Sequence, residues 1–192
     1  RSPAAAGMLS GVGRFNLPPG HMEVPHPWLV YSIQAAAYRL TVPFTGHPMF
    51  GHDIIYHHPM NCGSLLGRAA ERDFLRYAAS VSNLSGGVYL SVGSAVMSTM
   101  VFEKSMSMAQ NLALQAGNEI KDHYIMVVDL AESHWDWTRG EPPENNPDYY
   151  LRYCKSFSRM GGQMRYLSAD NRDFLLSLYQ GLRRASAGAG GK

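Results

Sequence analysis

Gly86-Gly87-Val88-Tyr89-Leu90-Ser91-Val92-Gly93-Ser94-Ala95-Val96-Met97 is the stretch on which the fold turns. Val88 to Val92 is short, apolar and rich in strand formers, and a turn of small residues follows it. From Ser98 to Ala116, helix formers carry apolar positions at helical spacing, so the segment reads as buried strand, tight turn and helix. That is half of a βαβ unit. In open α/β sheets the turn beyond a strand's carboxyl end is where phosphates and nucleotides bind. Small residues there let a ligand approach the backbone, and the next helix offers its positive amino-terminus. The alternative is an ordinary tight connection, since the full glycine fingerprint is absent.

Working outward, the 192 residues are enough for one substantial core, and 45% hydrophobic with 17% charged residues is ordinary for a globular domain. The formal net charge is only +2 and the Lys and Arg residues are dispersed. A nucleic-acid footprint and an electrostatic membrane anchor are thereby excluded, and a small-molecule partner is expected. Cys62 and Cys154 are too few for a disulfide framework and show no CxxC spacing, so a reducing, cytoplasmic setting is expected. No apolar run approaches membrane-span length, and the amino-terminus lacks the order of a secretory signal.

Ahead of the opening stretch, residues 1–27 hold five of the eleven prolines and read as a flexible lead-in to a single α/β domain over 28–184. The chain opens on Arg1, which suits a piece of something longer or a processed product. Trp28 to Leu40 reads as a helix and Thr41 to Thr45 as a short strand carrying a proline. Next, His47, His52, His57 and His58 place four of the eight histidines within twelve residues, together with Asp53. Three readings stay open there: a metal site, a loop presenting Asp53 and a histidine to a cationic or hydroxylated ligand, and a solvated polar loop. The spacing matches neither HExxH nor a Cys/His finger, so no metal is assigned. Leu65 to Leu84 has the spacing of an amphipathic helix.

Beyond it, the methionines at 97, 100, 106 and 108 read as core or interface packing. His123 to Leu130 reads as a buried parallel strand with Asp129 near its carboxyl end. A proline-broken loop then gathers Trp135, Asp136, Trp137, Arg139, Glu141 and Glu144, either covering a site or crossing the surface. Lys155, among aromatic neighbours, is a candidate nucleophilic amine through desolvation, the alternative being a surface lysine. A short strand at Gln163 to Leu167, a helix from Arg172 to Arg184 and a disordered tail over 185–192 complete the chain.

The order of segments from about Trp28 to Leu182 resembles the carboxyl-terminal part of the deoxyhypusine synthase family, and its uncharacterised bacterial relatives in particular. The loop Gly51-His52-Asp53-Ile54-Ile55-Tyr56-His57-His58-Pro59 is similar to the relatives' GxDIIxxHP, and the opening stretch to their GGVYLxxGSAVM. Pro147-Asp148-Tyr149-Tyr150-Leu151-Arg152-Tyr153-Cys154-Lys155-Ser156 approximates the segment of the family's catalytic lysine, and Tyr166 to Asp170 its later Tyr-Ala-Asp.

The resemblance implies an α/β fold with a doubly wound, mostly parallel sheet of Rossmann-like type, incomplete on its amino-terminal side. It implies NAD as cofactor, lined by Gly93, Ser94, Asp136 and Asp170. It makes Lys155 the imine-forming amine, His57 or His58 the acid/base, and Asp53 and Tyr153 substrate-binding residues, in a homo-oligomer. Tyr153 replaces the family's tryptophan, Tyr149 stands in place of a glutamate for substrate amines, and Met97, Ser98 and Thr99 replace its adjacent histidines. Deoxyhypusine synthesis itself is therefore not expected. The expected function is NAD(H) or nucleotide binding with amine/imine transfer, and the alternative is a non-catalytic ligand-binding or oligomer-forming scaffold.

Overall fold

Three short segments, the outer two bordered by glycine, make the sheet that organises the carboxyl-terminal half of the chain. The computed structural model describes residues 3–189. The chain divides into two compact units, Arg1–Tyr77 and Ala78–Lys192, so the span 28–184 falls in both.

In the first unit, α1 (Pro3–Arg14) and α2 (Ile33–Arg39) precede α3 (Gly63–Val81), whose last turn lies in the second. Helix α1 falls inside the segment expected as a lead-in. Ala5, Ala6, Met8 and Leu9 are strong helix formers. The helix packs on α3 closely enough that a Cβ at Gly11 would lie 2.5 Å from Leu65 Cδ1. The helix expected over Trp28 to Leu40 is broken. A 3₁₀ turn at Leu29–Tyr31 ends at Ser32, whose Oγ accepts the Ala35 N–H at 3.1 Å and starts α2 afresh. Residues 41–45 form no strand, because Thr41 is in the left-handed region (φ +55°) and Pro43 has no N–H to pair.

The second unit follows the opening reading. Strand β1 (Val88–Val92) leads through Gly93 into α4 (Met97–Gln115), then β2 (Tyr124–Asp129), α5 (Cys154–Ser158), β3 (Gln163–Ser168) and α6 (Asn171–Ala189). The strands form one parallel sheet in the order β1-β2-β3, with Val88 opposite Tyr124 and Tyr124 opposite Gln163. The α/β class and the parallel sheet are therefore present, but three strands are not a complete doubly wound sheet. Helix α6 continues to Ala189 through five of the residues expected as a tail, and the rest of that tail lies outside the described residues.

Strand alternation puts Tyr89, Ser91, Ile125, Val127 and Met164 on one face, and that face is the core. Tyr89 stacks on Phe102 of α4 with ring centres 4.2 Å apart, and Phe157 of α5 closes the group at 5.7 Å from Phe102. Both helices thus cover this face. Phe102 and Phe157 are fully buried, and each contributes about 2–3 kcal/mol through loss of apolar surface from water. The opposite face is covered at its centre and open at its margins: Val128 of β2 is 1% exposed, whereas Val88 at one edge is 61% exposed and Leu167 at the other 39%.

Candidate functional site

The carboxyl ends of the three strands are joined into one rim. The Gly93 N–H donates to the Val128 carbonyl at 3.0 Å, and the Ala169 N–H donates to the Asp129 carbonyl at 3.0 Å. Asp129, last residue of the central strand, is buried. Its Oδ1 accepts the Ala131 N–H at 2.9 Å and lies 3.2 Å from Arg152 Nε. Arg152 itself is 42% exposed. It reaches Asp129 from two consecutive left-handed residues, Arg152 (φ +46°) and Tyr153 (φ +53°), which end a 3₁₀ segment and lead into α5. Two non-glycine residues in that region are strained, and such strain persists only where surrounding contacts hold it.

Beneath Arg152, Cys154 is completely buried, and burial reinforced by the Asp129 charge pushes its thiol up to about 12. Burial and the same carboxylate also push the Tyr166 phenol upward. The Tyr166 hydroxyl donates to the Ala131 carbonyl at 2.8 Å. The loop over the rim is tied to Asp148, whose Oδ2 accepts from Ser133 Oγ (3.1 Å), His134 N (2.8 Å) and Trp135 N (2.8 Å). Asn146 Oδ1 in turn accepts the Asp148 N–H at 2.8 Å, and Trp137 Nε1 donates to Ser133 Oγ at 2.8 Å. Trp137 is buried, so this tryptophan packs rather than wandering over the surface.

Lys155 lies just beyond this cluster, on α5. Its ammonium sits 4.1 Å from the ring centre of Tyr149 and 4.4 Å from that of Tyr150, and the two rings meet edge to face. Such rings attract the charged form of an amine. Beside them, Arg159 donates to both oxygens of Glu141, each at 2.6 Å, and holds that carboxylate below its usual range. Tyr153, expected to contact substrate, is 51% exposed at the strained turn.

The four residues expected to line a dinucleotide are engaged locally. A Cβ at Gly93 (φ +69°) would lie 2.2 Å from Asn171 Nδ2, so the space above this glycine holds the end of that side chain. Ser94 Oγ accepts the Ser98 N–H at 2.9 Å in the first turn of α4. Ser98 Oγ pairs with the Tyr89 hydroxyl at 2.7 Å and Thr99 is buried, so the positions of the family's histidines serve packing. Asp136 Oδ1 accepts from Thr138 Oγ1 (2.6 Å) and Thr138 N (3.1 Å). Asp170 accepts from the Arg172 side chain and backbone. Both carboxylates are lowered, chiefly by those hydrogen bonds.

Asp53, His57 and His58 belong to the first unit. The half-buried Asp53 carboxylate accepts the Met49 N–H and shapes its own loop. His57 ends a 3₁₀ turn at Ile54–His57, and His58 Nδ1 accepts the Met60 N–H at 3.1 Å. His47 bonds to Thr45 Oγ1 at 3.0 Å, and its ring meets Tyr77. Among the described residues no group of three or more His, Cys, Asp or Glu side chains is placed to hold a metal ion.

In the sequence Asp129 reads only as a strand end, and Arg152, Cys154 and Tyr166 carry no functional pattern of their own. The available signal was an aspartate closing a buried strand, together with Asn146-Pro147-Asp148, the pattern of a helix start. No family model, curated protein or solved structure matches this chain.

The oxygens of Ser94, Asp136 and Asp170, the groups a dinucleotide would use, hold neighbouring residues. No helix of the described residues is long and apolar enough to cross a membrane.

Proposed function

We propose that the chain binds a small phosphate-bearing ligand of the nucleotide class over the carboxyl ends of its parallel strands. The observation that carries this reading is the rim itself. There the Gly93 N–H is bonded to Val128 and the Ala169 N–H to Asp129, and the Arg152 guanidinium stands at the same strand end. Small residues at a strand-to-helix turn, a helix amino-terminus and a guanidinium are the groups that phosphate recognition uses. NAD(H) is one nucleotide of this class. Calorimetry of the full chain with NAD⁺, NADH and AMP tests the reading. Heat is expected with at least one of them and is lost in Arg152→Ala, whereas silence with all three overturns it.

Amine transfer is a separable second part. Lys155, freed from the Tyr149 and Tyr150 rings and having given its proton to solvent, attacks a carbonyl carbon with its nitrogen lone pair. The C–N bond forms and the carbonyl oxygen leaves as water, which gives an imine. Borohydride added with a short amino-aldehyde reduces that imine to a stable secondary amine. Mass spectrometry should place the added mass on Lys155, and an equal gain in Lys155→Ala removes the lysine from this role.

An oligomer-forming scaffold in which a second copy covers the exposed margins of that sheet face is the other reading. It is favoured by the exposed Val88, Leu90 and Leu167 and by the exposed Leu175, Leu176, Tyr179 and Leu182 of α6. Light scattering of a monomer at all concentrations would end it.

A further inference from the structure

At the end of the sheet opposite the rim, His123 immediately precedes β2 and is 1% exposed. Its carbonyl accepts the Gln163 N–H at 2.9 Å and so begins the pairing of β3 with β2. Two consecutive glycines in left-handed conformations, Gly161 (φ +76°) and Gly162 (φ +75°), bring the chain against its imidazole. A Cβ at Gly162 would lie 2.3 Å from the His123 carbonyl oxygen, 2.7 Å from Cδ2 and 2.9 Å from Nε2. No residue but glycine fits there. Neither ring nitrogen makes a hydrogen bond of normal geometry.

The same residues wall a cleft of about 520 Å³, which Glu119, Lys121, Asp122 and Gln163 also line. A second cleft of about 440 Å³ adjoins it through Glu119, Ile120 and Gly161. The first cleft thus reaches His123 and the glycine turn that lies against its imidazole.

We infer that His123 is a pH-sensitive latch: neutral, it closes the Met160–Gln163 turn onto β2, and charged, it releases that turn into the cleft. A neutral imidazole costs far less to bury than an imidazolium, whose two N–H donors and positive charge need acceptors and negative charge around them. The charged groups that line the two clefts are Glu119, Lys121 and Asp122 on the approach to β2, and Arg159 beyond the end of α5. Arg159 is already paired with Glu141. Burial holds His123 below the usual imidazole range, outweighing the carbonyls of Gly161 and Met160 and the lesser pull of Asp122 toward the charged ring. Protonation therefore has to be accompanied by opening, and the glycine turn is the segment that gives way. The proton comes from solvent and no other bond changes.

Hydrogen exchange of the full chain tests the latch, read as protection factors between about pH 7.5 and about pH 5. Protection of the Gln163 amide should fall by up to about tenfold per pH unit once the imidazole of the opened turn titrates. Protection of the Gly93 amide, at the other end of the sheet, should hold. In His123→Gln the pH dependence at Gln163 should disappear. If that variant does not fold, ring titration followed by NMR in the unaltered chain decides instead. A midpoint shared with the loss of Gln163 protection supports the latch. Constant protection at Gln163, an equal fall at Gly93, or persistence of the effect in His123→Gln overturns it.

Discussion

Gly93 and Asn171 occupy each other's space: a Cβ on the glycine would meet the asparagine amide nitrogen at 2.2 Å. Two costs therefore attach to Gly93→Ala. The left-handed backbone costs about 1–2 kcal/mol for any residue with a Cβ. Displacing the carboxamide adds a further, smaller part, because the end of a side chain can rotate. Urea denaturation should show Gly93→Ala destabilised by at least the backbone cost. In an Asn171→Gly background the same substitution should cost less by the steric part. Equal costs in the two backgrounds would mean that the contact carries no energy.

Arg152 offers the complementary test on the central strand. Arg152→Ala leaves the buried Asp129 carboxylate without its cation. For a fully buried pair that loss is several kcal/mol, but Arg152 is 42% exposed, so about 1–2 kcal/mol is expected after screening. Arg152→Gly loses the same pair yet relieves the left-handed backbone, and it should be the more stable of the two variants by about 1 kcal/mol. A glycine variant no better than alanine would show that the turn at Arg152 and Tyr153 is unstrained.

These two sites show what could and could not be read from the chain. Val88 to Val92 was legible to the residue, because a β-branched apolar run between glycines has one way to satisfy both its side chains and its backbone. Residues 41–45 look similar locally, but Thr41 turns the chain and the segment finds no partner to pair with. The break at Ser32 rests on one capping hydroxyl, against which the helix formers on either side weigh more in a pattern. The site was legible as a place and not as a set of contacts. Asp129 closes a strand whose position the pattern gives, whereas its pairing with Arg152 depends on a turn that no local periodicity encodes. The acids at 136 and 170 look free in sequence, and only the fold shows Thr138 and Arg172 drawing on them.

Asp148 should be the most costly single substitution in the loop. One carboxylate oxygen holds Ser133, His134 and Trp135 together, and Ser133 Oγ in turn accepts the Trp137 indole N–H. Asp148→Ala strands two backbone donors and a hydroxyl in a partly buried loop, for an expected loss of about 2–4 kcal/mol. Asp148→Asn keeps one carbonyl acceptor and should lose roughly half as much. Tryptophan emission should move to the red in the alanine variant as Trp137 leaves its pocket. Unchanged emission and stability would remove Asp148 from this role.

The two cysteines should separate cleanly by reactivity. The Cys154 thiol is completely buried and pushed up to about 12, first by burial and then by the Asp129 charge. Cys62 is also buried but keeps 8% exposure, and its thiol is held below the usual range, chiefly by its hydrogen bond with Ser64. The thiolate is the reacting species, so iodoacetamide at mildly alkaline pH should label Cys62 first and Cys154 only with unfolding. Mass spectrometry of the labelled peptides reads this directly. The same shift fixes the sign of an alkaline effect. The unfolded thiol releases its proton near 9 while the folded one retains it to about 12. The stability contributed by the neutral thiol is therefore complete below 9 and falls as pH rises through that window. Cys154→Ala should flatten this part of the stability curve. Rapid labelling of Cys154 in the native chain would show that its burial is not maintained in solution.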